Sequence, residues 1–69
     1  MPTVTFRVTP EGLTQEKKRT LIRRATDILV EELGKNPDTT IVLIDEVQTD
    51  NWGLAGEQVT RRRARDFKP

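Results

Sequence analysis

The residues that most constrain this chain are Ile41-Val42-Leu43-Ile44, its longest purely apolar run. Successive side chains of a strand point to opposite faces, so a strand built on this run is apolar on both. Such a strand has to be covered from two sides. The chain has only 69 residues, of which 33% are apolar. At this length a domain hides only about 60% of the surface its unfolded form exposes, and it usually needs a disulfide, a metal or a partner subunit. There is no cysteine and no histidine. Disulfides are therefore excluded, as are thiolate and imidazole metal sites and Ser-His or Cys-His catalysis. Oligomerisation is the stabilising device that remains.

The rest of the chain offers one more strand and one helix. From Thr3 to Thr9, the apolar Val4, Phe6 and Val8 alternate with Thr3, Thr5, Arg7 and Thr9. Period two with β-branched residues predicts a strand with one apolar face, ended by Pro10, Glu11 and Gly12. Thr14 is a good N-cap, and Leu21, Ile22, Ala25, Ile28, Leu29 and Leu33 recur at spacings of three and four. This predicts an amphipathic helix closed by Gly34, with Pro37 shortly after. Thr39 to Val47 is the second strand. Asp50-Asn51 marks a turn, and Trp52-Gly53-Leu54-Ala55-Gly56 reads as a tight hairpin or loop. Residues 58–69 are polar, and partly disordered unless something docks them. The expected class is α+β: a β-α-β unit with parallel strands and a right-handed crossover, followed by a small C-terminal β-hairpin. One helix cannot cover a two-stranded sheet on both faces, so the missing cover has to come from other chains.

Lysine and arginine number 12 against 11 acidic residues, for a net charge of +1. The basic residues crowd the end, where Arg61, Arg62, Arg63, Arg65 and Lys68 face only Asp66. A tail of this kind can bind nucleic acid, or it can be solvated or lie between subunits. Phe6, Trp52 and Phe67 are the only aromatics, too few for a stacking platform, so nucleic acid is not the expected partner. No run is long enough to span a membrane, and the start lacks the pattern of a signal peptide. The expected location is the cytoplasm.

Few residues can carry chemistry. Loss of Met1 would expose Pro2 as a secondary amine. Ordinary α-amino groups titrate near ~8, and burial or a nearby cation lowers that value by disfavouring the charged form. Such an amine can serve as a general base. The plainer role of Pro2 is to begin an edge strand. Trp52 is either the apolar wall of a pocket or an interface plug. Arg7 lies on the polar face of the first strand, and pairing with Asp45 or Glu46 is the expected use of its charge, ahead of an anionic ligand. Glu11, Asp45, Glu46 and Glu57 match no known metal loop and are expected to be solvated or ion-paired.

Taken in order, these residues resemble the 4-oxalocrotonate tautomerase family. The match runs from Pro2 through Glu11-Gly12, Leu21-Ile22 and Ile44-Asp45-Glu46. Its most specific part is Asn51-Trp52-Gly53-Leu54-Ala55-Gly56-Glu57, and it covers residues 2 to about 60. The resemblance implies a single tautomerase-like domain over residues 1–60 with a basic tail over 61–69. It implies strands joined across a dimer into one sheet with the helices on one face, and three such dimers in a hexamer. It also implies that Pro2 is the base that moves a proton on a small enol or keto acid, that Trp52 lines the pocket, and that no cofactor or metal is needed. Sites would form between subunits.

The chain departs from the best-known members at two positions. Leu13 stands where they carry an arginine that grips a substrate carboxylate, and Ile41 where a second arginine polarises the substrate carbonyl. Losing one charge-assisted clamp costs on the order of 1.5–3 kcal/mol, or roughly 10- to 100-fold in affinity. Arg7, or an arginine among Arg61 to Arg65 reaching from a neighbour, is a candidate replacement, and Asn51 a candidate hydrogen-bond partner. The alternative function is a non-catalytic oligomer of the same fold acting as a binding or structural protein.

Overall fold

The structure is a computed structural model, described here for residues 1–66. Strand β1 spans Thr3–Val8, helix α1 Gln15–Leu33 and strand β2 Ile41–Glu46. A short hairpin follows, β3 over Gly53–Leu54 and β4 over Glu57–Gln58, and then helix α2 over Val59–Asp66. Strands β1 and β2 are parallel, with Thr3 opposite Ile41 and Val8 opposite Glu46. Parallel neighbours need a long crossover, and α1 supplies it.

The helix ends are where the sequence puts them. The Thr14 side chain accepts a hydrogen bond from the Lys17 amide at 3.1 Å. Gly34 takes the left-handed conformation at φ 62°, and the Gly34 and Lys35 amides close the last turn onto Val30 O and Leu29 O. Strand β2 starts later than the expected Thr39. Pro37–Thr39 instead form a 3-10 turn, because the Thr39 amide and the Thr39 and Thr40 hydroxyls all donate to the Asn36 carbonyl. These bonds bend the chain, and β2 begins only at Ile41.

The chain end departs further from expectation. Residues 59–66, expected to be polar and partly disordered, form helix α2. Arg65 meets Glu57 through two guanidinium nitrogens at 2.9 Å each, and Arg63 pairs with Glu11. The Val59 amide donates to Trp52 O at 2.9 Å. Arginine and alanine are good helix formers, and these contacts dock the helix. Phe67, Lys68 and Pro69, part of the expected tail, lie outside the described residues.

Coverage is the fold's weak point. Val4, Phe6, Val42 and Ile44 are half-buried on the face toward α1, while Thr3, Thr5, Arg7, Ile41, Leu43 and Asp45 are exposed on the other. Among the described residues only Ala25 is fully buried, and Leu43 remains 53% exposed. The chain exposes 5588 Å² of surface, where a compact monomer of this mass exposes about 4,400 Å². An open apolar groove also runs between β1 and α1, lined by Val4, Phe6, Leu21, Ala25, Ile28 and Leu29. Both strands are edge strands. Among the described residues no helix is long and apolar enough to cross a membrane.

The hairpin carries one local strain. Its two-residue loop, Ala55-Gly56, has φ of 53° and 82°, the positive pair that a type I′ turn requires. Gly56 accepts this freely, whereas Ala55 pays a steric penalty for it. Ala55→Gly is expected to stabilise the protein by about 0.5–1 kcal/mol, read as a higher urea midpoint at fixed protein concentration.

Candidate active site

The parallel sheet has two ends, and the candidate residues divide between them. At one end Pro2 precedes β1. Proline has no amide hydrogen for the ladder, but its carbonyl accepts from the Ile41 amide at 3.0 Å. Pro2 and Ile41 are thereby neighbours, and Pro2 is half-buried. Met1 beyond it is 87% exposed.

At the other end the Val47 amide donates to Val8 O at 2.9 Å, extending the pairing past Glu46. The chain then makes a 3-10 turn over Thr49–Asn51 and reaches Trp52. The indole Nε1–H donates to Val47 O at 2.8 Å, which ties the ring to the end of β2. Trp52 is half-buried, Asn51 is exposed, and the Asn51 side chain makes no hydrogen bond among the described residues. Leu13 follows Gly12 at this same end and is half-buried beside Thr14, Lys17 and Leu21. At about 3.3 Å per residue, the length of β1 separates Pro2 from this cluster by roughly 20 Å. One chain thus brings Pro2 to Ile41 but does not bring Pro2 to Trp52, Arg7, Asn51 or Leu13.

The carboxylates singled out in the sequence are engaged with basic side chains. Arg7 and Asp45 are directly opposite in the β1–β2 register, and Arg7 Nε donates to Asp45 Oδ2 at 3.1 Å. The expected pairing of Arg7 is found, and it uses one edge of the guanidinium. Lys18 pairs with Glu46 at 3.1 Å, so with the two ion pairs that dock α2, all four carboxylates picked out in the sequence have basic partners. Among the proposed replacement arginines, Arg63 and Arg65 are therefore committed to carboxylates, while exposed Arg61 is in no ion pair among the described residues. No group of three His, Cys, Asp or Glu side chains among the described residues could hold a metal ion.

Sequence reasoning missed the supports of Trp52. Val47 holds the indole through a backbone carbonyl, which no side-chain pattern can announce. Thr49, Asp50 and Thr60 form a hydrogen-bonded cluster between the turn and α2. Its only signal was the threonine and aspartate content of the turn.

The tautomerase enzyme family matches residues 2–62. A probable tautomerase K2 of Dickeya dadantii is 59% identical over 63 residues, covering 91% of this chain and 94% of that protein. The 2-hydroxymuconate tautomerase of Bacillus subtilis is 33% identical over 60 residues, covering 87% and 95%. A 4-oxalocrotonate tautomerase isozyme structure from Methylibium petroleiphilum superposes with a TM-score of 0.81 at 30% identity, covering 93% and 98%. The chain belongs to the tautomerase family and, within it, to the 4-oxalocrotonate tautomerase family. Its relatives support an isomerase activity.

Trp52→Phe keeps an aromatic ring at this position but deletes the N–H that binds Val47. It is expected to lower stability by about 1 kcal/mol, measured by urea unfolding followed by circular dichroism.

Proposed function

We propose that this protein is a cofactor-independent tautomerase whose general base is the amine of Pro2, freed by loss of Met1, and whose substrate is a small enol or keto acid. The observation that carries this is the position of Pro2. It opens β1, its carbonyl is engaged by Ile41, and the sheet makes no use of its nitrogen. As a neutral amine that nitrogen can take a proton from one carbon or oxygen of the substrate and return it to another carbon, completing an isomerisation with no net change in atoms.

The division of residues between the two ends of the sheet favours a site shared by two copies. β1 has a free edge and lies beside an apolar groove. A second copy adding its own β1 antiparallel to this edge would form a continuous four-stranded sheet, and its helix could fill the groove. The registers that keep apolar side chains on one face and overlap the strands most fully set Arg7 opposite Thr3 or Thr5 of the second copy. That brings the end carrying Arg7 and Trp52 close to the second copy's Pro2. Trp52 then serves as an apolar wall. The guanidinium edge of Arg7 that Asp45 leaves open is a candidate for a substrate carboxylate, with Arg61 and Asn51 as further candidates. Leu13 and Ile41 make the pocket less cationic than one lined by arginines, which favours a substrate with fewer carboxylates than 2-hydroxymuconate. Three dimers in a hexamer would also cover Ile41 and Leu43. On this reading the enzyme works in the cytoplasm.

The alternative, a non-catalytic oligomer of the same fold, has Leu13 and Ile41 in its favour, and one experiment separates the two. Processed wild type is expected to ketonise a phenylpyruvate enol or a 2-hydroxydienoate. Pro2→Ala, or a chain with its N-terminus blocked, should lose about 10²- to 10⁴-fold in kcat/KM. Equal activity in the blocked chain would remove the Pro2 amine from the mechanism. Because only the neutral amine accepts a proton, kcat/KM should fall tenfold per pH unit below the amine's pKa. A pH–rate profile shows this limb, and the limb should be absent from any residual activity of the chain with its N-terminus blocked, which has no amine to titrate.

A further inference from the structure

Trp52 is held through three of its own groups. Its amide donates to Thr49 O at 3.2 Å, its carbonyl accepts from Val59 N at 2.9 Å, and its indole N–H reaches Val47 O. The two backbone anchors belong to different segments, since Thr49 begins the 3-10 turn and Val59 begins α2. Neither segment is fixed by a core. Thr49 and Val59 are only half-buried, and Asp50, Asn51 and Thr60 are exposed. Whatever ties the two segments together therefore fixes the backbone from which the indole reaches Val47.

That tie is made by side chains. Thr49 Oγ1 and Thr60 Oγ1 lie 2.5 Å apart, and the Thr60 hydroxyl donates to Asp50 Oδ1. A hydroxyl has one proton to give. Since Thr60 gives its proton to Asp50, Thr49 must donate to the Thr60 oxygen. The chain runs in one direction, from Thr49 through Thr60 to the Asp50 carboxylate. Ending on a carboxylate makes its last bond charge-assisted, roughly twice as strong as a neutral one. Gln58 Nε2 adds a bond to Asp50 O at 3.0 Å. Thr49 itself bears one backbone anchor of Trp52, and Thr60 adjoins the other, so the chain clamps the two anchors together.

We propose that Thr60 and Asp50 are positioning residues for Trp52, with the chain Thr49–Thr60–Asp50 setting the angle at which the indole forms the wall of the substrate pocket. This rests on the tautomerase reading of Trp52 as that wall. Neither Thr60 nor Asp50 reaches the reacting atoms. A loosened indole weakens the grip on substrate and transition state alike, which raises KM and leaves kcat. The base, Pro2 of the other copy, is untouched.

Thr60→Val removes the hydroxyl and keeps the β-branched shape. Asp50→Ala removes the final acceptor from the other side, and Thr60→Ser retains the hydroxyl. Trp52 is the only tryptophan, so its emission and its quenching by acrylamide report the indole without reference to activity. In Thr60→Val and Asp50→Ala, both with wild-type far-ultraviolet circular dichroism, emission is expected to move to the red and quenching to increase. KM should rise about three- to tenfold, with kcat within about twofold of wild type. Thr60→Ser should restore both signals. Unchanged emission, quenching and KM in either folded variant would overturn the proposal, as would a fall in kcat at constant KM. If one variant does not fold, the other decides. Full activity in a chain with its N-terminus blocked would overturn the tautomerase mechanism, while the fluorescence would still establish or refute the clamp on Trp52.

Discussion

Everything in this structure follows from the inability of one helix to cover a two-stranded sheet. Helix α1 shelters Val42 and Ile44 on one face, but Ile41 and Leu43 stand exposed on the other. Among the described residues only Ala25 is fully buried. Apolar side chains are worth about 1.5–3 kcal/mol each when buried and nothing while they remain in water. The radius of gyration, 15.8 Å, compares with about 11 Å for a compact chain of this length. Such a chain leaves apolar surface that the proposed assembly of further copies would cover.

The same sheet divides the candidate site residues. Because β1 and β2 are parallel and in register, they have one starting end and one finishing end. Pro2 belongs to the first; Arg7, Trp52, Asn51 and Leu13 belong to the second. A strand is too stiff and too long for these to meet within a chain. In the proposed dimer, antiparallel pairing through the free edge of β1 would reverse the two ends against each other. Stability and a complete site then have one cause, and an isolated subunit would lack both.

Much of this was legible in the residues. Alternation around Val4, Phe6 and Val8 placed β1, the Thr14 and Gly34 caps bounded α1, and the two-sided apolar run Ile41 to Ile44 announced the missing cover. These signals are local and repeat along the chain, which is why they survive without tertiary context. The pairing of Arg7 with Asp45 was also foreseeable, once both were placed on strands. Helix α2 was not, because its docking depends on Glu11 and Glu57 meeting Arg63 and Arg65. Glu11 lies far away in sequence, and composition alone reads such a segment as a solvated tail. The start of β2 was misplaced for a similar reason: a single carbonyl, Asn36 O, collects three donors and bends the chain. The supports of Trp52 stayed hidden because one is a backbone carbonyl and the others meet across the turn and α2, which no local pattern shows.

The central claim, that each site joins Pro2 of one copy to Trp52 of another, is tested most directly by mixing two crippled chains. Pro2→Ala and Trp52→Ala proteins would be unfolded together, refolded as a mixture and assayed beside each protein alone. In a mixed pair, one site receives Pro2 and Trp52 both intact. Random pairing should then restore about a quarter of wild-type sites, well above the average of the two parents. Activity no greater than that average, in a mixture shown to contain mixed assemblies, would contradict the account and return the whole site to a single chain.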